Sequence, residues 1–275
     1  MIAALLITLR EGLEAALIIG IVLGVLRRMG QSDRRSEVWG GILAAVVVSV
    51  VAAVALNALG VAFEGRGEEI FEGIAMLLAA GVLTWMILWM QGQGRQIQAT
   101  LESDTRQALA SNKRGMLFGL AFIAVVREGI ETVLFLTAAA FSATAAQTLI
   151  GGTLGLLLAI ALGIVIFVLG MRFNLRAFFR VTGLLLILFA AGLLAHGLHE
   201  LQEAAVLPTL IAHVWDINSI LNENGTLGSL LAALFGYNGN PSLLEVVAYI
   251  GYFVALGLVT LRGHSMPAQA ASARA

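Results

Sequence analysis

Arg10-Glu11-Gly12-Leu13-Glu14 recurs in the same chain as Arg127-Glu128-Gly129-Ile130-Glu131. Each copy lies inside an apolar run long enough to cross a membrane, residues 2–26 and 116–141. Charges at membrane depth are costly, roughly 2.5–3.5 kcal/mol for each Arg or Asp on insertion scales. Two motifs of three charges would carry a penalty on the order of 15–20 kcal/mol if nothing offset it. A chain that repeats so costly an element is using it.

The rest of the sequence fits that setting. Its 275 residues are 59% hydrophobic and 12% charged, against about 25% charged in a soluble domain. The composition predicts an all-α, polytopic integral membrane protein. There are no cysteines, which removes disulfides, thiolate metal sites and redox pairs. The first stretch lacks a basic n-region, and Arg10, Glu11 and Glu14 interrupt it. It therefore reads as a retained first helix and not as a signal peptide.

Seven runs qualify as transmembrane helices: residues 2–26, 38–62, 69–90, 116–141, 147–170, 181–203 and 243–261. The polar connection 91–115 predicts a short surface helix. The connection 204–242 is the longest, and the Ala/Ser-rich tail 263–275 predicts a disordered cytoplasmic segment. Of sixteen Lys and Arg, two belong to the motifs and one, Arg66, stands alone on its side. The other thirteen fall in alternate connections or the tail: Arg27, Arg28, Arg34, Arg35; Arg95, Arg106, Lys113, Arg114; Arg172, Arg176, Arg180; Arg262, Arg274. The positive-inside rule then places the N-terminus outside and the C-terminus in the cytoplasm, in a cytoplasmic (inner) membrane.

The motifs lie on spans one and four. Three spans per unit is odd, so the second copy runs the opposite way through the bilayer, the pattern of an inverted-topology repeat. The chain divides into repeat one at about 1–90, repeat two at about 116–203 and an extra helix at about 243–261, within a single transmembrane domain, 1–262. At 1.5 Å per residue, Glu11 and Glu14 fall roughly 14–18 Å from the outer end of their span, and Glu128 and Glu131 roughly 18–23 Å from the inner end of theirs. Both sets reach the middle of a core about 30 Å thick, so four carboxylates meet at one level.

Within each motif the two Glu are i,i+3 neighbours, and the Arg is i,i+4 to the second Glu. The spacing therefore predicts pairs Arg10–Glu14 and Arg127–Glu131. The Gly between them lets another backbone or an ion approach closely, and the steps Gly20/Gly24 and Gly115/Gly119 predict tight packing of the same helices. Four carboxylates and two guanidiniums leave a formal charge of −2. An all-oxygen donor set without Cys suits a hard cation. The competing reading is that each motif is an internal salt bridge that pins helices, a role that two copies at matching depth make less economical.

Two further clusters fall on the outer side in this topology. Glu64, Glu68, Glu69 and Glu72 gather at the start of span three, and His196, His199, Glu200 and Glu203 form one helical stripe at the end of span six. With Asp216, Glu223 and Glu245 they make the outer surface acidic, a funnel that concentrates cations. The plain readings are helix N-terminal acids complementing the dipole and a solvated helix end.

The twin Arg-Glu-Gly-x-Glu motifs, the seven spans and the outer acidic clusters together resemble the oxidase-dependent high-affinity iron permeases, the fungal ferric permease and its bacterial relatives. His213-Val214-Trp215-Asp216 and the stretch from Gly236-Tyr237 to Pro241-Ser242 resemble the bacterial branch. The resemblance covers nearly the whole chain. It implies transport of iron, most naturally Fe3+, with iron as cargo, no cofactor and no enzymatic activity. It implies that Glu11, Glu14, Glu128 and Glu131 hold the metal with Arg10 and Arg127 in support. Glu68, Glu69 and Glu72, and less directly His199, Glu200 and Glu203, would receive iron outside. It also implies a periplasmic iron-binding or oxidase/peroxidase partner. Two other functions stay open at this point. One is a proton-coupled transporter of another divalent cation or solute, with the Glu residues as relay. The other is an intramembrane metalloenzyme, which His199-Glu200 invites but the absence of a second His at position 203 opposes.

Overall fold

A computed structural model describes residues 1–111, 115–141, 144–170, 174–223 and 225–264. Lys113, Arg114, Arg172, Arg274 and residues 265–275 of the tail lie outside the described residues, as do the side chains of Arg95 and Arg262. Among the described residues eight α-helices follow in order: α1 Ile2–Arg28, α2 Arg35–Ala62, α3 Arg66–Ala110, α4 Met116–Phe141, α5 Ala145–Phe167, α6 Leu175–Glu203, α7 Thr226–Phe235 and α8 Leu243–His264. A single 3-10 turn, Ser32–Arg34, joins α1 to α2. No strand occurs among the described residues.

Two elements differ from the sequence expectation. The polar stretch after residue 90 is not a separate surface helix: α3 runs unbroken for 45 residues. No proline interrupts 91–110, and Gly92 and Gly94 are the weakest helix formers in a run that Gln, Arg, Ala, Leu and Glu favour. Its far end is anchored by apolar contacts, with Ala108 buried among Val22, Leu26, Val38, Leu117 and Ala121. Within 204–242, the ten-residue α7 closes on Gly236, whose φ of +65° gives a left-handed stop.

Helix starts are locally specified. Thr144 Oγ1 accepts from Gln147 N at 3.3 Å, and Asn174 Oδ1 from Ala177 N at 3.1 Å. At α8, Glu245 N donates to Ser242 Oγ while Ser242 N donates to Glu245 Oε1 at 3.0 Å, a reciprocal capping box.

The largest interfaces are α1 on α5, α2 on α4 and α3 on α6, with α1 on α4 next. Exchanging α1 with α4, α2 with α5 and α3 with α6 maps this set onto itself. Glycines set the crossings. A Cβ on Gly12 would stand 2.8 Å from Ala159 Cβ, and one on Gly155 would press into the backbone of Leu5 and Leu9. Gly41 meets the backbone of Phe118 and Phe122, Gly129 meets Ser49, and Gly73 meets Gly197 O and Leu201. The successive contacts run parallel for α1·α5 and α2·α4 and antiparallel for α3·α6. α1 and α4 are antiparallel: Ala3 and Ile7 pack in one cluster with Phe135 and Ala138, and Val22 and Leu26 in another with Leu117 and Ala121. Of the steps Gly20/Gly24 and Gly115/Gly119, Gly20 lies at the α1·α5 crossing, where a Cβ would press into the ring of Phe167 at the end of α5, whereas nothing stands within 4 Å of a Cβ at Gly24, Gly115 or Gly119. The glycines at the crossings are the motif's own, Gly20 and those on the partner helices.

Among the described residues, five helices are long and apolar enough, by length and composition, to cross a membrane: α2, the first part of α3, α5, α6 and α8. α1 and α4 are of similar length, 27 and 26 residues, and each carries the three charges of its motif. Their apolar neighbours turn outward: Val47, Val51 and Val54 on α2, Leu149 and Leu157 on α5, and Ile250 and Leu258 on α8 are all exposed. In water such a surface would be untenable; in lipid it is the expected face.

Candidate metal centre

The antiparallel crossing of α1 and α4 brings the two motifs together. One carboxylate oxygen from each of Glu11, Glu128 and Glu131 lies within 4.8 Å of the other two. Glu11 and Glu128 are 1% and 2% exposed, deep enough that an unmet charge there would be prohibitive. Both Glu11 oxygens, Glu128 Oε2 and Glu131 Oε2 are buried without a hydrogen-bond partner. Three carboxylates with free lone pairs, two of them buried and Glu131 half-buried, are a donor set for a hard cation.

The arginines sit as the i,i+4 spacing predicts. Arg10 Nε is 3.2 Å from Glu14 Oε1, and Arg127 Nε is 3.7 Å from Glu131 Oε1. Arg127 is closer still to Glu128, to which Nε donates at 3.1 Å. Glu14 is buried and engaged by Arg10, so it adjoins the three-carboxylate group without joining it. Both guanidiniums also rest on α3: Arg10 Nη2 donates to Met90 Sδ at 3.2 Å, and Arg127 lies 6.0 Å from the centroid of the Trp89 ring.

A cavity of about 820 Å³ opens onto this group. Glu11 and Glu128 line it at one end and Glu68 and Glu72 at the other, with a mostly apolar wall between. Arg10, Arg127, Trp89 and Met90 are not among its lining residues. The cavity thus joins the buried carboxylates to the Glu68/Glu72 end and leaves the arginines and their α3 contacts outside it. Glu200 lies within Coulombic reach of Glu72 and Glu69, so the acids of α3 and α6 form one patch at the mouth.

The His/Glu stripe of α6 divides. His199 Nδ1 is 2.9 Å from Glu245 Oε1, and Nε2 is 3.3 Å from Glu203 Oε1. With both ring nitrogens occupied, His199 ties α6 to the start of α8. Glu245 is 2% exposed and also accepts from Asn238 Nδ2 at 2.9 Å. His213 and Asp216 are exposed. The two loop stretches singled out in sequence meet here: Val214 N donates to Pro241 O and Ile217 N to Gly239 O, both at 2.9 Å. Sequence reading passed over the hydroxyl-bearing cavity residues Thr8, Ser49, Thr132 and Thr148. The available signal was position: Thr8 and Thr132 stand one helical turn from Glu11 and Glu128.

A bundle of apolar helices enclosing converging carboxylates is the architecture of a multi-pass membrane protein with a candidate hard-cation site. Comparison with known proteins makes the cation specific. The model of the iron permease FTR1 family matches residues 1–269, and the chain belongs to that family. It is 34% identical over 256 residues to the putative inactive ferrous iron permease EfeU of Escherichia coli K12, covering 92% of this chain and 93% of that one. It is 34% identical over 257 residues to the ferrous iron permease EfeU of Yersinia pestis, covering 92% and 91%. An uncharacterized protein of Archaeoglobus fulgidus is 38% identical over 268 residues, 94% of each chain. No solved structure matches significantly. The protein is therefore a multi-pass membrane permease that moves iron across a membrane; it is a transporter and not an enzyme, and iron is its cargo.

Proposed function

We propose that the chain imports iron across the cytoplasmic membrane through the carboxylate group of Glu11, Glu128 and Glu131, with Glu14 beside it and Arg10 and Arg127 in support. The observation that carries this reading is the convergence within 4.8 Å of three carboxylates from two antiparallel helices, Glu11 and Glu128 buried and Glu131 half-buried, beside a cavity that Glu11 and Glu128 line together with Glu68 and Glu72. Seven helices, α1–α6 and α8, cross the bilayer, with the N-terminus outside and the C-terminus inside. Residues 1–262 act as one domain. α1–α3 and α4–α6 are inverted repeats, a reading supported by interfaces that persist when the two sets are exchanged. Iron is received by Glu68, Glu69, Glu72 and Glu200, where a periplasmic iron-binding or oxidase/peroxidase partner would deliver it. Rocking of one repeat against the other, with release of Arg10 and Arg127 from Met90 and Trp89, opens the way inward.

We read the imported ion as Fe2+, by likeness to relatives named ferrous iron permeases. Fe3+ is the second reading, favoured by the all-oxygen donor set. Uptake of 55Fe by cells expressing the chain decides both matters. Uptake with ascorbate and none from ferric citrate supports Fe2+, and the reverse supports Fe3+. Glu11→Gln and Glu128→Gln should each abolish uptake in the productive arm; wild-type uptake by both would sink the carboxylate site. Competition by other divalent cations as strong as by iron itself would favour a general cation transporter.

A further inference from the structure

On α1, α2 and α4 the residues that line the cavity go no further inward than Ala15, Val46 and Val125. Beyond them the seam between α1 and α4 is filled. Val22 and Leu26, past Glu14 on α1, pack in one buried cluster with Leu117 and Ala121, which precede Glu128 on α4. The helices are antiparallel, so all four stand on the side of the carboxylates away from Glu68 and Glu72. An ion leaving inward along this seam meets a closed apolar wall.

The end of α3 lies against that wall. Thr105 and Ala108 are 0% and 1% exposed, and Ala108, Leu101 and Leu109 pack on the same cluster. Positions 101, 105, 108 and 109 form one helical face, while Asp104, Arg106 and Gln107 are exposed. Residues 101–109 thus bury two small side chains, whereas glycines bring α1 onto α5 and α2 onto α4 at backbone distance. Of the segments that close the seam, this one is held most lightly.

The same helix reaches the carboxylates. α3 is unbroken from residue 66 to 110. On it Met90 accepts from Arg10 at 3.2 Å, and the Trp89 ring lies beneath Arg127. Arg127 also donates to Glu128 Oε1 at 3.1 Å. A cation held by Glu11 and Glu128 competes for that carboxylate and repels the guanidinium. Loading the site therefore disturbs the contact between Arg127 and α3.

We propose that Leu101–Leu109 of α3 is the inner gate: it seals the α1–α4 seam while the carboxylates are empty and lifts when iron displaces Arg127 from Glu128. The proposal rests on the carboxylate-site reading above and adds the element that opens the exit.

With no native cysteine, single thiols report on the gate. Thr105→Cys and Ala79→Cys replace residues both 0% exposed, the first in the gate and the second in the larger core cluster. Each purified full chain, in lipid nanodiscs, is labelled with N-ethylmaleimide with and without iron in the oxidation state that the wild type transports. Iron should quicken labelling of Thr105→Cys about tenfold, a modest shift of a two-state equilibrium, and leave Ala79→Cys unchanged. No quickening overturns the gate, and so does equal quickening at both positions, which would mark general loosening. Adding Glu128→Gln to Thr105→Cys separates the two readings. Quickening lost there supports both; quickening that survives sinks the carboxylate trigger and leaves a segment moved from elsewhere.

A second arm ties the gate shut. Ala108→Cys is paired with Leu26→Cys or with Ala121→Cys and oxidised in membrane vesicles. The bridged chain should take up 55Fe about tenfold more slowly or worse, bind it as the reduced chain does, and recover with dithiothreitol. Undiminished uptake by the bridged chain overturns the gate. So does failure of both pairs to bridge, because the seal needs Ala108 among these residues.

Discussion

Gly155→Ala places the smallest perturbation at the α1·α5 crossing. The new methyl would stand 2.9 Å from Leu9 N and nearer still to Leu5 O and Thr8 Oγ1. Ordinary contact begins near 3.4 Å, so the helices must part by about 0.5–1 Å. Two of the three obstructing atoms are backbone and cannot rotate aside. Overpacking of this kind costs about 1–3 kcal/mol, and the upper end applies where backbone is struck. Replacing a helical Gly with Ala returns about 1 kcal/mol, so the net loss is about 2 kcal/mol. Gly119→Ala on α4 is the matched control, because nothing lies within 4 Å of its Cβ; it should be neutral or slightly stabilising. Reversible unfolding in mixed detergent–SDS micelles measures both. Because α1 carries Glu11, the same shift should cut iron uptake at least tenfold, in line with the cost of ångström-scale misplacement of reacting groups. Equal stability of Gly155→Ala and Gly119→Ala would refute the claim that α1 and α5 meet backbone to backbone.

Three other outcomes follow from the geometry. His199→Ala should lower stability by about 1.5–3 kcal/mol, through loss of charge-assisted contacts to Glu245 and Glu203, and leave uptake at saturating iron unchanged; a thermal melt and an uptake assay check the two halves. Combined Glu68→Gln and Glu72→Gln should raise the iron concentration for half-maximal uptake several-fold, by weakening local attraction at the mouth, with the maximal rate kept. The native chain has no cysteine, so single-cysteine labelling is clean. In spheroplasts an impermeant maleimide should label an Asp216→Cys variant and spare an Asp33→Cys variant; the opposite pattern would reverse the orientation.

Much of this was legible because membrane solvent simplifies the code. Apolar runs of about 20 residues located α1, α2, α4, α5 and α8 to within three residues, the start of α3 and the end of α6, and the cost of buried charge picked out Glu11 and Glu128 before any contact was known. The i,i+4 pairing of each Arg with its second Glu was equally local. What escaped the sequence was non-local. α7 is ten residues long, too short to register as a span, and closes on a single Gly. The continuation of α3 past residue 90 rests on packing of Ala108 against α1, α2 and α4, which no local pattern announces. Which glycines mediate helix crossings depended on partners: Gly24 and Gly119 fit the small-residue spacing yet face nothing, whereas Gly12 and Gly129 serve both motif and crossing. The matched depth of four Glu and the Arg10–Glu14 pair were readable, but not that Glu131, paired with Arg127 in the same way, would join Glu11 and Glu128 while Glu14 would not. His199 looked like a ligand until Glu245, 46 residues away, took its second nitrogen.

The central claim is that iron is held where the two motifs meet. Anomalous scattering at the iron edge from crystals of the full chain soaked in iron tests it most directly. The account predicts a peak within coordinating distance of Glu11, Glu128 and Glu131, lost in Glu128→Gln crystals soaked in the same way. A peak confined to the Glu68, Glu72 and Glu200 patch, with none between α1 and α4, would contradict it.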